Sequence, residues 1–345
     1  MNRFIKAGWI LIGCFTLSCE RNIELSVDLP GASAVLNASL SADSLITATV
    51  SRTVRAYYNG PEPLPVYFPG EASIEVFVND SKQGVMEKGE KNGQYRLPGY
   101  YPSAGDKIRL EVQTAGFAPL SAEVCIPSRP EILWVDTQMY KKEASASFPG
   151  DNRIDVALRF KEPANETNYY MLALSEYFIE EKDTLTKTYL PVSVIHNEEL
   201  LFEELSPARF PYLYAHGHSS NPSYYGYYDT SFFIFNDKAI HSDAYTLKFT
   251  LKNVFSSNDS DSSPFTAICR ICLYAVSESC YLYYRSKLLQ WKQAEDLFGS
   301  VGLREPVPTY TNVRNGYGLL SARQAAVYEL KVPVAGMPLS VYDAD

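Results

Sequence analysis

Ser73-Ile74-Glu75-Val76-Phe77-Val78-Asn79-Asp80-Ser81 is the stretch that decides the fold class. Ile74, Val76 and Val78 fall on every second position, with Ser73, Glu75 and Phe77 between them. Successive side chains on a strand point to opposite faces, so this pattern sets one face on a core and the other towards water. Asn79-Asp80-Ser81 then supplies turn residues. The same reading holds for Ile108, Leu110 and Val112, set between Lys107, Arg109, Glu111 and Gln113. Asn92-Gly93 and Ser103-Ala104-Gly105-Asp106 are further turns. Several short half-buried strands within about a hundred residues predict an immunoglobulin-like β-sandwich over residues 31–127. It closes at Ile126-Pro127-Ser128-Arg129-Pro130, where two prolines end the last strand.

Outward from there, residues 131–345 predict a larger antiparallel β-rich domain, a sandwich or barrel. Ile154, Val156, Leu158 and Phe160 alternate with polar positions, as do Leu247, Phe249 and Leu251. Tyr169–Leu174 and Phe265–Val276 are apolar at nearly every residue, the signature of strands covered on both faces. One segment has a different period. Tyr281, Tyr284, Leu288 and Trp291 recur at helical spacing, with Ser277 placed to cap and Gly299 to terminate, which predicts one helix over about 278–298. The fold class expected is therefore mainly β, two β-rich domains with a single helix near the C-terminus.

The first residues read as an address. Arg3 and Lys6 precede an uncharged stretch, Ala7 to Ser18, too short for a permanent span and of secretory length. Small residues before a cysteine make residues 1–18 a lipoprotein signal peptide, with Cys19 as the lipidated residue and Cys14 as the alternative. Cys19 uses the whole apolar run and is followed at once by Glu20-Arg21-Asn22. Residues 19–30 are then a tether, and the rest is expected to be extracytoplasmic, held to a membrane by acyl chains. The net charge is −9, and removal of Arg3 and Lys6 leaves 29 basic against 40 acidic residues. Such a chain lacks the basic footprint that nucleic acid demands.

Candidate chemistry is sparse. The chain has 26 Tyr and 17 Phe but only 4 His and 6 Cys, so acid–base and metal ligands are few. Cys269 and Cys272 form a C-x-x-C inside a strand pattern, which sends the two thiols to opposite faces and makes them core residues. A disulfide among Cys125, Cys269, Cys272 and Cys280 is compatible with an oxidising compartment, with pairing left open. His216-Gly217-His218 lacks a neighbouring third ligand. No G-x-S-x-G, H-E-x-x-H or P-loop is present. These observations predict no catalytic residues, no metal and no cofactor. The binding candidates are Tyr212, Tyr214, Tyr224, Tyr225, Tyr227 and Tyr228, in a Pro-, Gly- and Ser-rich loop over about 206–230. Their amphipathic rings suit a glycan or peptide ligand, or a cover for the end of the core.

Three stretches carry a resemblance: Cys19-Glu20-Arg21-Asn22-Ile23-Glu24-Leu25 leading to Asp28-Leu29-Pro30; Leu273-Tyr274-Ala275-Val276-Ser277-Glu278-Ser279-Cys280-Tyr281-Leu282-Tyr283-Tyr284; and Glu305-Pro306-Val307-Pro308 with Asn312-Val313-Arg314-Asn315-Gly316-Tyr317-Gly318. Together they resemble the domain of unknown function 4249 family, outer-membrane lipoproteins of Bacteroidetes. Leu319-Leu320 departs from the aromatic expected after the Gly-x-Gly, and Cys14 and Cys19 double the signal cysteine. The resemblance implies a surface lipoprotein associated with a TonB-dependent transporter and brings no site residue except Cys19. The function expected is a non-enzymatic accessory or ligand-capture partner of such a transporter in nutrient uptake. The alternatives are a surface glycan- or peptide-hydrolase and a structural or adhesive lipoprotein.

Overall fold

Alternation of apolar and polar residues produces strands throughout the chain. The computed structural model describes residues 31–54, 70–142, 151–163, 167–180, 190–191, 193–196, 231–252, 265–295 and 304–333. Its first strands are β1 (Ala34–Leu40), β2 (Ile46–Arg52), β3 (Ala72–Val78), β4 (Ser81–Val85), β5 (Glu87–Lys88), β6 (Gln94–Leu97), β7 (Lys107–Thr114) and β8 (Leu120–Cys125). They are followed by β9 (Ile132–Lys142), β10 (Asp151–Lys161), β11 (Tyr169–Glu180), β12 (Leu190–Pro191), β13 (Ser193–His196), β14 (Ser231–Asn236), β15 (Ala244–Lys252) and β16 (Phe265–Val276). Helix α1 (Glu278–Glu295) and the long strand β17 (Tyr317–Pro333) complete the described elements. The protein is mainly β, with antiparallel sheets and, among the described residues, one α-helix near the C-terminus.

One large sheet runs β12-β11-β16-β17-β1-β2-β6-β5, with β14 also paired to β11. Two four-stranded sheets accompany it, β4-β3-β7-β8 and β13-β15-β10-β9. The first core joins Ile74, Val76, Ile108 and Leu110 of one small sheet to Leu36, Ile46, Leu320 and Ala322 of the large one. The second joins Ile154, Leu158, Leu247 and Leu251 to Leu172, Leu174, Ile271 and Leu273. On β17 the residues facing these cores all have even numbers: Leu320 and Ala322 in the first, Tyr328 and Leu330 against the second. Both small sheets therefore cover the same face of the large sheet. The opposite face receives helix α1, whose Cys280 and Leu288 pack with Met171, Ile234 and Val276. The apolar runs of β11 and β16 are explained by this covering of both faces.

The join between β1 and β17 is the one parallel pairing among the described strands, with Val35 opposite Tyr317 and Leu40 opposite Ala322. It depends on two glycines. At Gly318 the backbone has φ +113, and an added Cβ would lie 2.0 Å from the Leu36 carbonyl oxygen. At Gly316 a Cβ would lie 2.6 Å from the Ala34 carbonyl oxygen. Asn312 braces the entry: its Nδ2 donates to the Leu320 carbonyl at 2.8 Å and its Oδ1 accepts from Leu320 N at 3.0 Å. The segment Asn312–Gly318 is thus a docking device for the last strand.

Ser277 caps α1, its Oγ accepting from Cys280 N at 3.3 Å, and the same oxygen accepts from Ala322 N at 3.0 Å. Tyr169 Oη donates to Glu278 at 3.0 Å, and burial pushes that phenol up to about 12. Along the helix, Gln290 Nε2 donates to the Val307 carbonyl and Gln293 Nε2 to the Glu305 carbonyl. The Pro-rich Glu305–Pro308 stretch is therefore strapped to α1 by polar contacts. Gly299 lies outside the described residues.

Candidate functional site

A hollow among the described residues lies on the face of the large sheet that carries α1. Alternation sends Asn37, Ser39, Thr47, Thr49, Gln94 and Arg96 away from the first core, and these side chains form its floor. Leu319, Ser321 and Arg323, on the odd face of β17, extend that floor towards the helix. Cys280, Tyr283 and Tyr284 of α1 stand over it as a wall. The hollow is an open groove of about 670 Å³, within the range of small-ligand pockets.

Its geometry is fixed by the backbone beneath. Asn37 Oδ1 accepts from Leu319 N at 3.0 Å, and Ser321 Oγ donates to the Ala38 carbonyl at 3.3 Å, so the β1–β17 seam is closed. Tyr283 and Tyr284 meet edge to face, with ring centroids 5.5 Å apart and planes at 76°. The Arg323 guanidinium lies 5.3 Å from the centroid of Tyr274, a cation–π contact that orients it. Arg96 and Arg323 are both exposed, and among the described residues Glu90 is the one carboxylate in the lining. The hollow is thus aromatic on one side, hydroxyl- and amide-bearing on its floor, and basic at two places.

The cysteines are not arranged for chemistry. Cys269 is fully buried in the second core, whereas Cys272 lies on the other face of β16 beside Tyr274, as residues three apart on a strand must. Cys125, Cys269, Cys272 and Cys280 are all free thiols. Burial pushes the Cys280 thiol up to about 11 and raises that of Cys272, so neither is a thiolate near neutrality. Among the described residues, no three or more His, Cys, Asp or Glu side chains gather as a metal site. Cys14, Cys19, Tyr212, Tyr214, Tyr224, Tyr225, Tyr227 and Tyr228 lie outside the described residues, as do His216 and His218.

Helical spacing sets Tyr281, Tyr284, Leu288 and Trp291 on one face of the helix, and the side chain of Trp291 lies outside the described residues. Leu288 is buried there and Tyr281 and Tyr284 are partly buried, but Tyr284 also edges the hollow. Nothing in the sequence pattern marks Tyr283, Arg96 or Arg323 as site residues. For the two arginines the available signal was strand alternation, which marks a side chain as pointing away from the core and no more.

Fold and hollow together define a β-sandwich protein with a polar, aromatic-walled groove between a sheet and its one described helix. The family described as Domain of unknown function (DUF4249) matches residues 21–329, and the chain belongs to that family. No curated protein matches the chain. Among the described residues, no helix is long and apolar enough to cross a membrane.

Proposed function

We propose that this chain is a non-enzymatic lipoprotein of the outer membrane that captures a glycan or peptide nutrient as the partner of a TonB-dependent transporter. The groove between α1 and the β17-β1-β2-β6 floor carries the capture reading: it has ligand size, aromatic rings and a rim of hydrogen-bonding groups. The apolar stretch ending at Ser18-Cys19 supports the acyl anchor, with a charged tether following at Glu20-Arg21. Two or three acyl chains would hold so acidic a protein without help from basic residues.

The experiment is purification of the full chain from membranes in mild detergent, followed by mass spectrometry of what accompanies it. A transporter is expected in stoichiometric amount, and a strictly solitary protein overturns the partnership. In the same strain Cys19→Ala is expected to release the protein from membranes. Retention of that variant would move the anchor to Cys14.

A further inference from the structure

We propose that the groove binds an acidic oligosaccharide, with carboxylates held by Arg96 and Arg323 and sugar faces set against Tyr283 and Tyr284. This rests on the capture reading above and names the ligand class for it.

The floor is built of side chains that suit a hydroxylated ligand. β17 is paired to β16 and β1, β1 to β17 and β2, β2 to β1 and β6, and β6 to β2 and β5. A bound peptide strand gains most of its affinity by pairing its backbone with a free sheet edge. β1 meets β2 only over Ala34–Asn37 and Thr49–Arg52, so Ala38–Leu40 and Ile46–Ala48 carry no pairing to each other, and an extended peptide is the rival that the hexapeptide titration below tests. The floor presents the hydroxyls of Ser39 and Thr47 and the amides of Asn37 and Gln94. Neutral donors and acceptors of that kind match a ligand covered in hydroxyls.

The charge pattern selects an acid. The chain carries a net charge of −9, yet two guanidinium groups line this hollow against one carboxylate, Glu90. Among the described residues neither Arg96 nor Arg323 forms an ion pair, while Arg109 is paired with Glu111 and Arg270 with Glu329. Guanidinium groups bind carboxylates through two parallel hydrogen bonds, stronger than neutral ones. Arg96 lies on β6 and Arg323 on β17, with β2 and β1 between them. Three strand spacings put them at least about 14 Å apart, and Arg323 lies two residues further along its strand than Ser321, the partner of Ser39. A ligand meeting both arginines is therefore an oligomer with repeated acidic groups. The rings of Tyr283 and Tyr284 stand beside this path and supply apolar area for the C–H faces of the sugars.

The test is calorimetric titration of the full chain with acidic trimers of galacturonate, of mannuronate and of hyaluronan type. The methyl ester of each is titrated too, which keeps the shape and removes the charge, along with extended hexapeptides. At least one acidic trimer is expected to bind, about tenfold or more tighter than its ester and more weakly at high salt. Arg96→Ala and Arg323→Ala are each expected to cost that trimer about tenfold and leave the ester unchanged. Both arginines are exposed strand residues, so these variants keep their fold, checked by an unchanged melting curve. Tyr283→Ala is expected to weaken trimer and ester alike. Equal binding of acid and ester, or arginine variants that bind normally, overturns the acidic assignment and leaves capture of a neutral glycan standing. Preferential binding of a hexapeptide overturns the saccharide and keeps capture. Absence of binding across all probes overturns both.

Discussion

Glu162 is a carboxylate in a place that disfavours charge. It is only 6% exposed, at the end of β10. Asn168 Nδ2 reaches its Oε1 at 3.0 Å and Asp237 Oδ2 at 3.2 Å, while Asn168 N donates to the same Asp237 oxygen at 2.7 Å. Burial raises the Glu162 pKa above the ordinary carboxylate value, and the neighbouring Asp237 charge adds to the rise. At pH values between the unfolded and the raised folded value, folding therefore takes up a proton at this group. Its contribution to stability is fully present below the unfolded value near 4.5 and is lost as pH rises through the higher folded value. Glu162→Gln keeps the Oε1 contact and removes the charge, so it is expected to stabilise the protein at pH 7 by about 1 kcal/mol. Urea unfolding at pH 7 and pH 4 checks this: the gain should shrink towards pH 4, and a variant no more stable than the parent at pH 7 refutes it.

At the scale of elements, β17 is placed by a glycine that no other residue can replace. Gly318→Ala meets the Leu36 carbonyl at 2.0 Å and adopts φ +113, so β17 must leave β1 or the backbone must shift. A loss of more than about 4 kcal/mol is expected, read as a fall in the urea midpoint. Gly99→Ala is the control, since its φ is +76 but nothing lies within 4 Å of the added Cβ; there the cost is about 1–2 kcal/mol. Equal effects of the two would refute the close-approach account. The strands themselves were legible from periodicity: Ile74–Val78, Ile108–Val112 and Ile154–Phe160 lie where alternation set them. So was the helix, whose predicted span of 278–298 compares with Glu278–Glu295. The β1–β17 pairing was not legible, because it joins Asn37 to Leu319 across 282 residues and leaves no local pattern. The groove was not legible for a related reason. Alternation separates core-facing from outward-facing positions, and Arg96 and Arg323 read as solvated until the helix is seen to run over that face.

At the scale of the whole molecule, the two cores share a strand, and this sets how the protein unfolds. From Ser33 onward the chain forms one compact unit. The first half of β17 fills the first core through Leu320 and Ala322, and its second half packs Tyr328 and Leu330 on the second. Gln324 and Ala326, 5% and 8% exposed, are buried at the seam between them. Residues 31–127 alone hold most of the first core, which reads in sequence as a self-sufficient sandwich. Without β17, however, β1 becomes a bare edge from Val35 to Leu40, and Leu36, Ala38 and Leu40 lose their partners on the next strand. Val313, Leu320 and Ala322 vanish from that core as well. Each buried Leu or Val side chain is worth about 1.5–3 kcal/mol, so these losses together rival the total stability of a domain of this size. A fragment of residues 31–127 is therefore expected to show no cooperative melting by circular dichroism. The same fragment joined by a flexible linker to residues 304–326 regains the missing strand and is expected to melt as a single transition. If the short fragment melts cooperatively at the temperature of the full chain, the strand is a tie between two independent sandwiches. If only the linked form does, the last strand is part of the first core, and neither sandwich exists before the far end of the chain has arrived.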